Sequence, residues 1–420
     1  MSEWKEVSLS ELGKTITGKT PSSQYPEDFG DEVPFITPSD SFEKKYISRS
    51  ERYLSRLGSD RLKDKIISSD SIMVTCIGSA MGKVAKNSLP SVTNQQINSI
   101  IVNENFDSDY IYYLFKNNYA VFRNAASGST AIPILNKTDF DNLRFKVELN
   151  LNEQRKMVSI LSTIDDKIEI NNQINQELEA MAKTLYDYWF VQFDFPDQNG
   201  KAYKSSGGKM VYHPELKREI PEGWGVEKLD DLGTVVGGST PTKSISDNFT
   251  KGGEGYSWIT PNDLSNNKGN KFIKNGEIDV TVKGLKDASL KLYPEGTVLM
   301  SSRAPVGYLA IATKELTTNQ GFKSFIPDKK YDKNYIYYTL QNCLKVIEQN
   351  ASGSTFKEIS ATVLKDIKVL QPNLEIVKKF EITVSSINNY IRDNEVQNQE
   401  LTQLRDWLLP MLMNGQVKVE

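Results

Sequence analysis

Two sets of polar residues recur along this chain, and their types are those that contact nucleic acid. The first is Lys19, Thr20 and Ser22; Lys83, Asn94, Gln95 and Gln96; Ser127 and Ser129. The second is Ser239, Thr240 and Lys243; Arg303, Asn319, Gln320 and Lys323; Ser352 and Ser354. Asn and Gln can pair bidentately with adenine and Arg with guanine, whereas Ser and Lys suit phosphates. The same residue types also build ordinary turns, so the sets are candidates for DNA contact by chemistry and recurrence together.

Other chemistries fit the residues less well. Gly13 to Thr20 matches the phosphate-loop pattern G-x-x-x-x-G-K-[ST] letter for letter. A working loop of that kind runs from a buried strand into a helix, and Pro21 and Pro26 disfavour the helix. The pattern reads instead as a Gly-Thr-Pro loop with an exposed Lys19. Methyl transfer would need a cofactor-binding glycine loop after a strand and an Asn-Pro-Pro or Asp-Pro-Pro stretch, and neither occurs. A cation-dependent nuclease needs clustered carboxylates with a lysine; the nearest pair, Asp165-Asp166, falls on a helix and reads as solvated charge. His213 is the sole histidine, which removes His-rich metal sites and Ser-His or Cys-His catalysis elsewhere. No catalytic residue and no metal site is assigned.

The elements that position the polar sets are written twice. Trp4, Leu9, Leu12, Gly13, Gly18, Thr20 and Pro21 recur 220 residues later as Trp224, Leu229, Leu232, Gly233, Gly238, Thr240 and Pro241. Ile36-Thr37-Pro38 with Asp40 returns as Ile259-Thr260-Pro261 with Asp263, and Thr93-Asn94-Gln95 returns at an offset of 225. Ala126 to Thr130 reappears unaltered as Ala351 to Thr355. Ser22 to Val33 shares almost nothing with Thr242 to Tyr256, nor Ser41 to Ser69 with Leu264 to Pro294. A common scaffold with divergent loops suits two readers of different ligands of one kind. Within each copy, Ser71 to Ile77, Ile97 to Val102, Thr297 to Ser302 and Tyr308 to Thr313 read as strands. Asp109 to Asn124 and Asn334 to Asn350 read as amphipathic helices. The bridge Gln192 to Gly223 is turn-rich and needs little regular structure.

Each copy is followed by a long amphipathic stretch. Met157, Leu161, Ile164, Ile168, Asn171, Asn175, Leu178, Ala182, Leu185 and Trp189 form a heptad seam with two polar rungs. Asn150 and Glu153 resemble a capping box opening a helix of roughly 60 Å. Adding 223 gives Phe380, Val384, Ile387, Ile391, Asn394, Asn398, Leu401 and Leu408, with Arg405 the one break. An antiparallel pairing of residues whose numbers sum to 569 sets Asn171 against Asn398, Asn175 against Asn394 and Trp189 against Phe380. Buried Asn needs a hydrogen-bonding partner, so the rungs fix the register.

The totals bound the class. A chain of 420 residues, 38% hydrophobic, can fill two or three cores. Two distant cysteines, Cys76 and Cys343, argue for a reducing compartment. With no long apolar run and no signal pattern, a soluble cytoplasmic protein is expected. The net charge of -3 means that any DNA binding must rest on local patches or on a partner.

Gly18-Lys-Thr-Pro21, Thr93-Asn-Gln95 and Ser127-Gly-Ser-Thr130, with the run Leu185 to Pro196, resemble the specificity subunit of type I restriction-modification systems. The bridge Gly200 to Met210, Ile220-Pro-Glu-Gly-Trp224 and the end Leu408 to Gly415 carry the same likeness. The resemblance implies an α+β fold: two tandem, pseudo-twofold-related target-recognition domains separated by two long helices forming an antiparallel coiled coil. Residues 1–149 and 224–372 would be the recognition domains, 150–192 and 373–420 the spacer helices, and 193–223 the linker. It further implies a non-catalytic subunit that reads a bipartite site on double-stranded DNA, one half-site per domain. The expected partners are two modification subunits methylating adenine N6 with S-adenosylmethionine, and restriction subunits using ATP and Mg. No cofactor is expected in this chain. The alternative is a two-lobed scaffold or inhibitor that binds the modification subunit but no DNA.

Overall fold

Asn150 opens the first long helix, accepting hydrogen bonds from the backbone N–H of Asn152 (2.9 Å) and Glu153 (3.3 Å). The reciprocal arm comes from Glu148, which accepts from the Asn150 N–H at 2.9 Å. The capping-box spacing points to Glu153 for that role, but its carboxylate turns to Lys156 instead. The helix runs Leu151–Tyr186 and ends in a wider π-type turn, Asp187–Val191. The second long helix is Leu374–Met413, capped by Asn373 on the Glu375 N–H at 2.7 Å. This computed structural model describes residues 3–78, 81–126, 133–303, 305–353, 357–417 and 419.

The chain divides into two units, Met1–Glu169 with Asn398–Glu420, and Ile170–Gln397, so each long helix contributes to both. In the first unit a five-stranded mixed sheet has the order Gly13–Thr17, Ile97–Val102, Ile72–Thr75, Val84–Asn87, Tyr46–Ile47. A second sheet joins Val33–Ile36 in parallel to Ser91–Thr93. Helix Ser108–Asn117 buries Tyr110 to Phe115 beneath the first sheet. The continuous helix expected to Asn124 is broken at Asn118, whose side-chain amide turns back to the Leu114 carbonyl at 2.8 Å; a short helix Tyr119–Asn124 follows. Met157, Val158 and Leu161 of the first long helix and Leu409, Leu412 and Met413 of the second complete this core.

The second unit repeats the plan, with the sheet order Thr234–Val236, Ser324–Ile326, Val298–Ser302, Val306–Ala312, Phe272–Ile273. Parallel pairing of Tyr256–Ile259 with Thr317–Thr318 matches the parallel pair of the first unit. The edge strands Tyr46–Ile47 and Phe272–Ile273 both run parallel to their neighbours, although they lie in stretches whose sequences share almost nothing. Helix Lys333–Asn350 is continuous, opened by the Asp332 side chain on the N–H groups of Asn334 and Tyr335. Tyr186, Phe190 and Trp189 meet Phe380 at ring-centroid distances of 5.8, 5.2 and 6.1 Å. Each such aromatic pair adds about 0.5–1.5 kcal/mol beyond area burial. The bridge is more ordered than its turn content implies: Met210–His213 and Arg218–Pro221 form an antiparallel hairpin. Phe195 is stacked between Tyr203 (4.6 Å) and Trp224 (4.8 Å).

Within each unit the long helices lie antiparallel. In the second, Asn394 donates its amide to Asn175 Oδ1 at 2.9 Å, and the Asn171 amide donates to Gln397 Oε1 at 2.8 Å. Asn175 also donates to the Ile391 carbonyl at 3.4 Å. In the first, Arg405 meets Asp165 at 2.8 Å, with Tyr113 donating its hydroxyl to the same carboxylate at 2.6 Å. Asp165 is therefore a partly buried member of the helix interface and not solvated charge; only Asp166 faces water. Arg405, which interrupts the apolar seam, is explained by this partner. Among the described residues no helix is long and apolar enough to cross a membrane.

Candidate nucleic-acid interface

In each unit a glycine lets two loops touch. The strand Gly13–Thr17 runs into Gly18-Lys19-Thr20-Pro21, where Gly18 N–H donates to the Ile97 carbonyl (3.1 Å) and Lys19 N–H to the Thr93 carbonyl (2.8 Å). A Cβ on Gly18 would sit 2.2 Å from the carbonyl oxygens of Thr93 and Asn94. In the second unit Ser239 N–H donates to the Thr318 carbonyl at 3.1 Å, and a Cβ on Gly238 would lie 1.7 Å from that oxygen. The glycines thus serve close approach of two backbones, not phosphate binding. A short helix, Leu9–Leu12, stands where the preceding strand should be, and only the 3₁₀ turn Pro26–Asp28 comes after Thr20, so the phosphate-loop match has neither of its structural requirements.

The junction orients one exposed amide in each unit. Thr20 donates its hydroxyl to Gln95 Oε1, and Thr240 does the same to Gln320 Oε1. Both glutamines are exposed, and with the carbonyl oxygen held, their NH₂ groups remain for a ligand. Asn94 is used differently. It is buried, its amide donates to Gln96 Oε1 and its oxygen accepts from the Gln96 N–H, both at 3.0 Å. Asn319 Oδ1 likewise accepts from the Gly321 N–H at 2.8 Å. These asparagines shape the loop, and the glutamines beside them face outward.

A third loop joins each junction. Asn94 N–H donates to the Ile36 carbonyl and Asn319 N–H to the Ile259 carbonyl, both at 3.0 Å. That loop is closed by Asp40 accepting from the Thr37 N–H (2.7 Å) and by Asp263 accepting from the Thr260 N–H (2.8 Å). Thr37 and Thr260 anchor this third loop, and the recurrence of Ile-Thr-Pro-x-Asp is its signal in the sequence. In the second unit Trp258 also donates its indole N–H to the Ser239 carbonyl at 3.0 Å.

The cations differ in availability. Lys19 and Lys243 are exposed and make no ion pair among the described residues. Lys83 is held by Glu43 at 2.6 Å, on the turn whose neighbour Cys76 N–H donates to the Gln96 carbonyl. Arg303 faces Glu358 at 3.9 Å, and Glu358 exchanges backbone hydrogen bonds with Ser352 (2.9 and 3.0 Å). Burial lowers the Lys323 ammonium below its usual value; Glu358 opposes this and Arg303 adds to it. The structure therefore gathers Arg303, Lys323, Ser352 and Glu358 in one cluster. Ser22 and Lys243 lie in exposed turns beyond the junctions. Ser127, Ser129 and Ser354 lie outside the described residues. Among the described residues no cluster of His, Cys, Asp and Glu could hold a metal ion.

One loop junction recurs in each of two like units, and each unit includes a stretch of both long helices. The family described as "Type I restriction modification DNA specificity domain" matches residues 1–180 and 221–405, and the chain belongs to it. It is similar to the type I restriction enzyme MjaIX specificity subunit of Methanocaldococcus jannaschii, 28% identical, over 100% of this chain and 94% of that one. It is also similar to the type I restriction enzyme HindI specificity subunit of Haemophilus influenzae, 27% identical, over 99% and 100%. The fold matches the crystal structure of a type I restriction-modification S subunit from M. genitalium with a TM-score of 0.56, at 16% identity, over 98% and 96% of the two chains. The chain is thus a type I specificity subunit, the member of such an enzyme that is not itself the catalyst.

Proposed function

We propose that this chain carries the address of its complex: each loop junction reads one half of a bipartite site on double-stranded DNA, and the helix pair sets the unread spacer. The observation that carries this reading is the duplicated junction, the same loops joined by the same hydrogen bonds, flanked by segments with little common sequence. Gln95 and Gln320 present amides to base edges, and Lys19 and Lys243 meet phosphates. Lys83 and Arg303 must leave Glu43 and Glu358 to do so. On this reading residues 1–149 and 224–372 are the recognition domains, 150–192 and 373–420 the spacer helices, and 193–223 the linker. Two modification subunits methylate adenine N6 with S-adenosylmethionine, and ATP-dependent restriction subunits join them in the cytoplasm. A chain of net charge -3 shares phosphate contacts with partners that close around the DNA.

The spacer supplies the test. Seven residues inserted between Ile170 and Asn171, and seven between Asn398 and Gln399, keep the heptad phase and add about 10 Å, or roughly three base pairs. Methylome sequencing of a host carrying this variant is expected to show both half-sites unchanged and the spacer lengthened. An unchanged spacer from a folded variant defeats the proposal, and a protein that binds its modification subunit without sequence-dependent DNA binding is the scaffold instead. In the assembled complex, Lys19→Ala is expected to weaken binding about evenly across sequences and to reduce the slope of log affinity on log salt by about one. A fluorescence salt titration measures both.

A further inference from the structure

The loops that differ most between the copies hide one equivalence. Lys45 and Lys271 each precede the parallel edge strand, and their carbonyls accept from Lys86 N–H (2.7 Å) and Ile311 N–H (2.9 Å) at corresponding places. Both ammonium groups lie over a tyrosine pair: Lys271 is 4.4 Å from the Tyr337 ring and 4.1 Å from Tyr338, and Lys45 is 5.8 Å from Tyr112 and 5.1 Å from Tyr113.

In the second unit this lysine ties the sheet edge to three helices. Lys271 Nζ donates to Glu179 of the first long helix (2.8 Å), to Asn388 of the second (2.8 Å) and to the Tyr338 hydroxyl. Glu395 accepts from the backbone N–H of Lys271 (2.7 Å) and Phe272 (3.0 Å). Asn388 passes the network to Asn334 (2.6 Å), and Asn334 to Ser385 (2.9 Å). In the first unit Lys45 bonds Asp109 (2.8 Å) and Ser162 of the first long helix (3.0 Å). Adding 223 to Ser162 gives Ser385 and adding 225 to Asp109 gives Asn334. Lys45 bonds its two directly, whereas Lys271 reaches the corresponding pair only through Asn388, so the two lysines hold matching positions by different bonds.

We propose that Lys271 and Lys45 are positioning residues that fix each recognition domain's angle on the helices, so that strict spacing of the half-sites depends on side chains remote from the loop junctions. This rests on the bipartite reading above. Apolar packing would cement the same surfaces at lower cost, because a buried ion pair gives up hydration that attraction barely repays. Burial pushes Lys271 down to about 8 against the pull of Glu179, and Glu395 up to about 7 against its two N–H donors. What directional bonds supply, and grease does not, is one orientation.

The test uses the full chain with its modification subunits. Lys271→Met is expected to leave both half-sites unchanged while methylation at sites one base pair longer or shorter rises about tenfold, equivalent to ~1.4 kcal/mol. Glu179→Met combined with Lys271→Met removes the orphaned carboxylate; its melting temperature recovers but the loosened spacing persists. Recovery of both would assign the lysine a structural role only and overturn the proposal, as would strict spacing in a folded Lys271→Met protein. Lys45→Met, where Lys86 still pairs with Asp109, is expected to give the same loosening should Lys271→Met not fold; strict spacing there overturns the proposal too. Failure of the bipartite reading itself is seen separately, as a wild-type methylome without a two-part target.

Discussion

Replacing Asp109 with alanine is expected to destabilise the N-terminal unit by about 3 kcal/mol, because it takes from two largely buried ammonium groups the carboxylate they share and leaves Lys86 only the exposed Asp70 as a counter-charge. Lys86 is 1% exposed and reaches Asp109, Ser108 (3.0 Å), Tyr46 (3.1 Å) and Asp70 (2.9 Å), the last largely exposed. Lys45 shares the same carboxylate. Burial by itself would push the Lys86 ammonium down, but Asp109 outweighs it and holds the group above its ordinary value. Burial would likewise raise Asp109, and the hydrogen bonds from Lys45 and Lys86 instead hold it below the usual carboxylate range. A carboxylate lowered by folding stabilises above its unfolded pKa, near 4, and loses that contribution as pH falls through its folded value. The gap between wild type and Asp109→Ala is therefore full at pH near 7 and shrinks below about pH 4. Hydrogen exchange of Ser108–Asn117 reads it locally, and a gap unchanged by acid would refute the ionic origin.

Gly238→Ala is expected to abolish reading of one half-site and spare the other. The added methyl would lie 1.7 Å from the Thr318 carbonyl oxygen and 2.3 Å from its carbon, closer than any real contact. The two loops must part, and Gln320 loses its hold on Thr240. With a base-edge contact worth roughly 1–3 kcal/mol, loss of the Gln320 contact lowers affinity on the order of tenfold to a hundredfold. Competition by duplexes with one or the other half scrambled checks this: the variant should cease to distinguish scrambling in one half only. Equal losses for both halves would contradict independent junctions.

The helix pair was legible in the sequence because its signal is periodic and doubled. Two asparagines at matching heptad places demand partners, and Asn175 finds Asn394 with numbers summing to 569. The Gly-Thr-Pro and Thr-Asn-Gln loops were legible through recurrence. What stayed hidden is local satisfaction: sequence does not tell that Asn94 spends its amide on Gln96 while Gln95 faces out. Nor does it show Asp165 as half of an ion pair, since Arg405 is 240 residues away. The lysine equivalence escaped because its loops differ in length and composition, leaving one residue type, common everywhere, as the only trace.

Leu409, Leu412 and Met413 belong to the core that Val7, Leu9 and Leu161 begin. On the ribosome those last pieces follow Leu161 by roughly 250 residues, about 12–50 s of synthesis at 5–20 residues per second. The half made first is thus the half finished last, and through that interval its open apolar surface is exposed to chaperones or to a neighbouring nascent chain.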